Sequence, residues 1–218
     1  MSSHPPVRAV LWDFGGVILS SPFEAFNAYE AAHGLPRDFI RGINATNPHD
    51  NAWAKLESSR IGVDEFCRLF AAEAASRGHA LDGRIVLSLL SGRIRPEMVA
   101  ALRAVKRRYK TACLTNNVAT GDGPGMARTQ EQAAAVAEVM KIFDLVLESS
   151  KVGVRKPEPR FYEIACERLG VRPEEAVFLD DLGINLKPAR DMGMRTIKVA
   201  APAAALAELA AILGHPLD

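Results

Sequence analysis

The stretch "LWDFGGVIL", residues 11–19, places one carboxylate, Asp13, at the end of an apolar run and follows it within two residues by a pair of glycines. The run "RAVLW" (8–12) reads as a buried strand, because short apolar runs bounded by turn residues fit a sheet covered on both faces. An acid at its end is costly inside a core and useful at a sheet edge. The glycines allow the backbone to turn sharply and to approach an ion or a phosphate closely. Whether Asp13 is a turn former or a reactive group depends on what the rest of the chain builds around it.

Four further runs of the same kind follow: "TACL" (111–114), the weaker "DLVLE" (144–148), "AVFL" (176–179) and "RTIKV" (195–199). Helical periodicity fills the segments between them, in residues 95–109, 127–143, 158–170 and 184–193, and the alanine-rich tail predicts a last helix. Strands alternating with helices predict βαβ units and an α/β fold: a Rossmann-like three-layer core with a mainly parallel sheet. Residues 20–94 differ, with helical patterns such as "PFEAFNAYEAAHG" (22–34) and "VDEFCRLFAAEAASRG" (63–78) and no convincing strand. The expected organisation is therefore a core of residues 1–19 and 95–218 with a small all-helical cap, residues 20–94, inserted after the first strand.

Composition narrows the class of partner. The 218 residues are 48% hydrophobic and 24% charged, with a formal net charge of +1. That balance gives no electrostatic reason to expect a nucleic acid or a membrane surface as a partner. No segment approaches the roughly 20 apolar residues of a membrane span. Three scattered cysteines, Cys67, Cys113 and Cys166, form neither a disulfide framework nor a zinc pattern. They read as small core residues in a reducing compartment, and the expected location is the cytoplasm.

In open parallel sheets ligands bind beyond the carboxyl ends of the strands. The residues at those positions are Asp13, then Thr115 and Asn116, then Asp180 and Asp181, with Lys156 in the proline-stiffened segment "SSKVGVRKPEP" (149–159). Singly, each fits a turn, a helix cap or a solvated loop. Together at the strand ends they fit one chemistry. Two carboxylates hold Mg²⁺ through hard oxygen ligands, and one of them attacks phosphorus to form an aspartyl-phosphate. A threonine hydroxyl, backbone N–H groups and a lysine ammonium bind the phosphoryl oxygens.

"VLWDFGGVI" (10–18), "LTNN" (114–117), "GVRKPEPRFY" (153–162) and "VFLDDLGINLKPARDMGM" (177–194) resemble, in order, the four motifs of the haloacid dehalogenase superfamily. Within it they are most similar to the N-terminal phosphatase domain of soluble epoxide hydrolases. The resemblance implies that Asp13 is the nucleophile and that Mg²⁺ is held by its carboxylate, by the main-chain carbonyl of Gly15 and by Asp181, with Asp180 assisting. It further implies that Thr115 and the neighbouring Asn116 amide bind the phosphoryl group and that Lys156 bridges nucleophile and phosphate. The implied substrate is a small phosphorylated metabolite.

One position departs from the pattern. Phosphatases of this family usually carry a second aspartate two residues after the nucleophile, as general acid and then base, and this chain has Gly15. Loss of acid–base catalysis is typically worth about 10²–10⁴ in rate. Three readings follow: a phosphohydrolase whose substrate has a good leaving group or receives its proton elsewhere; a 2-haloacid dehalogenase, which uses the aspartate without that general acid; and a phosphate-binding regulatory protein with little turnover. In the cap, Glu24, His33 and His49 are candidate proton sources, and Arg41, Asn44, Trp53 and Arg60 are candidates to line the closure. The glycine-rich segment 116–128 reads as a flexible connection near the phosphate site, and it lacks the Lys-Ser/Thr ending of a nucleotide P-loop.

Overall fold

The computed structural model describes residues 5–117 and 129–217. Five strands, β1 (Ala9–Trp12), β2 (Lys110–Thr115), β3 (Leu145–Glu148), β4 (Ala176–Asp180) and β5 (Arg195–Lys198), form one sheet in the order β3-β2-β1-β4-β5. Every pairing is parallel, with Trp12 opposite Cys113 on one side and Leu179 on the other. The strand with Asp13 at its end is thus central, flanked by the two strands that carry Thr115 and Asp180. Most of the segment 116–128, read as a connection near the phosphate site, lies outside the described residues.

Alternation along the strands sorts the core into two layers, because successive side chains of a strand point to opposite faces. Val10, Trp12, Cys113, Val177, Leu179 and Ile197 pack on one side against α6 (Pro96–Lys106), α7 (Gln130–Met140) and α11 (Pro202–Leu213). Ala9, Leu11, Ala112, Leu114, Leu147 and Phe178 pack on the other against α9 (Pro159–Leu169) and α10 (Gly183–Asp191). This is the expected three-layer Rossmann-like architecture. Proline in the first turn starts α6, α9 and α11, where its missing N–H leaves no helical bond unmade.

Between β1 and α6 lie α1 (Pro22–Ala32), α2 (Phe39–Ala45), α3 (Ala52–Glu57), α4 (Val63–Ala75) and α5 (Gly83–Ser88). They bury an apolar cluster of their own, centred on Phe26, Ile40, Ile43, Leu56, Phe66 and Phe70. The short α5 falls in a stretch whose sequence pattern is too brief to predict a helix. Chain exit and return are adjacent: Leu19 bridges Ile94 antiparallel, and the Ser20 N–H donates to Arg93 O at 2.8 Å. Glu30, buried in this layer, accepts the N–H groups of Asp38 and Ile40 at 2.7 and 2.9 Å and so satisfies the start of α2. Among the described residues, no helix is long and apolar enough to cross a membrane.

Candidate active site

Three strand ends and one loop converge on a buried ammonium. Lys156 Nζ lies 2.7 Å from Asp13 Oδ1 and 2.8 Å from Asp180 Oδ2, with 1% of the lysine side chain exposed. Burial opposes its charge, and the Asp13 and Asp180 carboxylates outweigh that and hold it protonated. The loop carrying Lys156 is tied down by Asn116, whose side chain accepts the Lys156 N–H at 2.9 Å and donates to the Lys156 carbonyl at 3.0 Å. Its side-chain amide is therefore a brace between the ends of β2 and this loop.

Asp13 follows β1 directly, and its Oδ1 also accepts the Phe14 N–H at 2.6 Å. Asp180 is the most constrained of the acids. Its Oδ1 accepts the Leu182 N–H at 2.8 Å, and Asn185 Nδ2 donates to both carboxylate oxygens, at 3.1 and 3.0 Å. Tyr162, buried beneath, donates its hydroxyl to the Asn185 carbonyl at 2.7 Å and fixes the start of α10. Asp181, partly exposed, receives the Ser21 hydroxyl at 3.3 Å from the entry of α1. One oxygen each from Asp13, Asp180 and Asp181 lie within 4.8 Å of one another.

Such crowding of like charges raises carboxyl pKa values. Burial, opposed by Lys156 and reinforced by Asp180 and Asp181, pushes Asp13 well above the usual carboxylate range. Burial and then Asp180 push Asp181 up to about 6. Three carboxylates face one ammonium, so the cluster carries an excess of negative charge and a hard, all-oxygen donor set, which fits a divalent cation such as Mg²⁺.

The two glycines of the opening stretch differ in role. Gly16 adopts φ +76°, and a Cβ there would lie 2.2 Å from Asp181 Oδ2, so only glycine lets Asp181 approach this turn. Its carbonyl accepts Arg95 Nη1 at 2.8 Å. Gly15 has an ordinary extended conformation, φ −71° and ψ 133°, and a Cβ there would meet nothing within 4 Å. Backbone geometry therefore does not require glycine at position 15.

A cavity of about 430 Å³ opens over this cluster, lined on the core side by Asp13, Gly15, Thr115, Asn116, Lys156 and Asp181. Its opposite wall comes from the helical layer, including Phe23, Phe26, Arg41, Asn44, Trp53 and Glu57. Arg41, Asn44 and Trp53 stand where the sequence expectation put them. Glu24, His33 and Arg60 do not line the cavity: Glu24 is exposed, His33 stacks on Tyr29, and Arg60 binds Asp50, Ser58 and the His49 carbonyl. His49 itself is exposed and also outside the lining.

Three residues that sequence reasoning passed over, Glu57, Arg155 and Ser149, join the layers. Arg155 Nη2 meets Glu57 Oε2 at 2.5 Å, with 13% and 9% of the two side chains exposed, and Arg155 Nη1 donates to the Pro48 carbonyl at 2.9 Å. Ser149 Oγ donates to the Glu57 carbonyl at 2.7 Å. A single acid in a helical layer and an arginine in a basic loop carry no sequence signal that they pair.

A five-stranded parallel sheet with a lysine-bridged acidic cluster at the ends of its central strands defines a Rossmann-like α/β core whose reactive groups gather at one edge. The family described as haloacid dehalogenase-like hydrolase matches residues 7–193, and the chain belongs to it. The chain is 34% identical over 220 residues to mouse (Mus musculus) bifunctional epoxide hydrolase 2, covering 95% of this chain and 39% of that protein. It thus spans well under half the length of that relative. Two solved structures share the fold. One is a haloacid dehalogenase family enzyme from Bacteroides thetaiotaomicron in complex with magnesium and inorganic phosphate: TM-score 0.55, 19% identity, 88% of this chain and 93% of the other. The second is L-2-haloacid dehalogenase from Xanthobacter autotrophicus with chloropropionic acid covalently bound: TM-score 0.59, 21% identity, 94% and 82% coverage.

Proposed function

We propose that the protein is a Mg²⁺-dependent phosphatase that hydrolyses a small phosphorylated metabolite through an aspartyl-phosphate on Asp13. The observation that carries this reading is the charge balance of the site: Asp13, Asp180 and Asp181 within 4.8 Å, and one buried ammonium, Lys156, between the first two. A haloacid, with one negative charge and no need of a metal, leaves that excess of carboxylates unexplained. The magnesium and phosphate of the Bacteroides enzyme lend the reading support from the same fold.

In this mechanism the contacts of Asp13 fall on Oδ1, which Lys156 and the Phe14 N–H hold still, and Oδ2 is the oxygen that attacks phosphorus. Lys156, the Thr115 hydroxyl and the main-chain N–H of Asn116 bind the phosphoryl oxygens and offset charge as it develops. Asp13, Asp181 and the Gly15 carbonyl would hold Mg²⁺, which supplies charge neutralisation between an anionic nucleophile and an anionic substrate. Asp180, with both oxygens already hydrogen-bonded, acts by fixing Lys156. Residues 20–94 act as the cap that closes the cavity and excludes water.

The test is phosphate release from acetyl phosphate, 4-nitrophenyl phosphate and several sugar phosphates, with Mg²⁺ and with chelator, for the native chain and Asp13→Asn. Metal-dependent turnover lost in Asp13→Asn is expected. Halide release from a 2-haloacid in the presence of chelator, with no phosphate release from any compound, overturns the reading.

A further inference from the structure

We infer that the substrates of this site are phosphate monoesters of phenol-like hydroxyls, compounds whose leaving group is an apolar ring that departs as an anion. This rests on the phosphatase reading and specifies its substrate class. Two independent observations lead to it, one from the chemistry of the cavity and one from its shape.

The first is the supply of protons. Of the described residues lining the cavity, three carry carboxyl groups: Asp13, Asp181 and Glu57. Asp13 is the nucleophile of the proposed mechanism and Asp181 faces the cation. Glu57, the one carboxyl contributed by the helical layer, is held by Arg155 at 2.5 Å and lies 3.5 Å from Asn116 Nδ2. Among the described residues, no histidine or tyrosine lines the cavity. Position 15 has open space for a side chain and carries none. Among the described residues, a leaving oxygen in this cavity therefore meets no acid that is not already engaged, and it departs without a proton from them. Phenols lose a proton near pH 10, as tyrosine does, whereas aliphatic alcohols hold theirs far more tightly. Only the first class leaves readily as an anion.

The second is the wall that a leaving group would touch. Phe23 and Phe26 stand edge to face with centroids 6.0 Å apart, and Trp53 is fixed by its own edge-to-face contact with Phe66 at 5.4 Å. Leu19 and Leu90 complete an apolar lining, and Ile184, 51% exposed, stands at it as well. Rigid aromatic walls favour a planar ring, through offset or edge-to-face packing, over a hydrated sugar, whose hydroxyls would lose water against this apolar stretch of the lining.

The reaction balances without a general acid. Asp13 Oδ2 forms a bond to phosphorus as the bond from phosphorus to the phenolic oxygen breaks, and the electron pair leaves on that oxygen as phenolate. Water then attacks the phosphorus of the aspartyl-phosphate, returning the electron pair to Asp13 and releasing inorganic phosphate. The proton of the attacking water passes to solvent.

Four compounds separate the two requirements: 4-nitrophenyl phosphate (ring, acidic hydroxyl), benzyl phosphate (ring, alcohol), acetyl phosphate (no ring, good leaving group) and glycerol 3-phosphate (neither). With Mg²⁺, kcat/KM is expected to be highest for 4-nitrophenyl phosphate, lower for acetyl phosphate, and lower by about 10²-fold or more for benzyl phosphate, the scale of missing proton transfer. Gly15→Asp is expected to raise kcat/KM for benzyl phosphate at least tenfold more than it raises kcat/KM for 4-nitrophenyl phosphate. Glycerol 3-phosphate or benzyl phosphate hydrolysed within tenfold of 4-nitrophenyl phosphate by the native chain overturns the inference and leaves the phosphatase reading standing. So does a selective loss of benzyl phosphate turnover in Glu57→Gln, which would make Glu57 the acid. Release of phosphate from none of the four defeats both readings together.

Discussion

Glu57 and Arg155 form a buried ion pair that joins the helical layer to the loop holding Lys156. The loop is thereby gripped twice, by Asn116 from the end of β2 and by Glu57 from the end of α3. Removing one member of such a pair leaves a buried charge without a partner, which costs about 3–5 kcal/mol. Glu57→Ala is expected to lower unfolding free energy in denaturant by about that much. Glu57→Gln keeps a hydrogen-bond acceptor for Arg155 and is expected to lose less. Equal stability of Glu57→Ala and the native chain would show that the pair does not hold the layers together.

The neighbouring glycines are expected to respond in opposite ways. Gly16→Ala forces a side chain into a positive-φ position and against Asp181, whose Oδ2 would be 2.2 Å away. The backbone alone costs about 1–2 kcal/mol, and displacement of Asp181 adds a loss of Mg²⁺ affinity. Gly15→Ala meets no neighbour and keeps an allowed conformation. Denaturant unfolding and a Mg²⁺ titration of both variants check this; a native-like Gly16→Ala would refute the steric argument.

Without metal, Asp181 contributes a stabilisation that falls as pH rises through the carboxyl range. Burial and then Asp180 raise Asp181 from its usual 3.8 to about 6. Between those values the folded state binds more protons than the unfolded state, so stability is fullest below about 4 and is lost as pH climbs through 6. At about 1.4 kcal/mol per pH unit, this group contributes a loss of up to ~3 kcal/mol. Mg²⁺ competes with the same proton, so its stabilising effect grows with pH. The rise in Tm on adding Mg²⁺ is expected to be small near pH 5 and several degrees above pH 7. A rise that does not depend on pH would place the cation away from Asp181.

Position 15 also bears on the second half of the reaction. With no carboxylate there to activate water, hydrolysis of the aspartyl-phosphate is expected to be slower than its formation from a good leaving group. Rapid acid quenching during turnover of 4-nitrophenyl phosphate should then trap a phosphoryl group on Asp13, seen as a mass increment on that peptide. A burst of nitrophenol should precede the steady state. Gly15→Asp is expected to shrink both signals, and a native chain with neither would mean that water is activated by another group.

Local patterning along the chain encodes the sheet and the positions of its reactive ends. Strand periodicity of two is a local property, so the runs around Leu11, Leu114 and Phe178 were legible as strands. Parallel topology then required Asp13, Thr115 and Asp180 to emerge on one edge. Lys156 was legible through the motif around it, though not its burial between Asp13 and Asp180. The contacts across the gap between the layers have no such local signature. Glu57 finds Arg155, Ser21 reaches Asp181, Gly16 rather than Gly15 is required by its neighbour, and Trp53 faces the cavity while His33 and His49 do not. Periodicity is written in neighbouring residues, but these contacts join segments far apart in the chain, and their geometry is set by how two separately packed hydrophobic clusters meet.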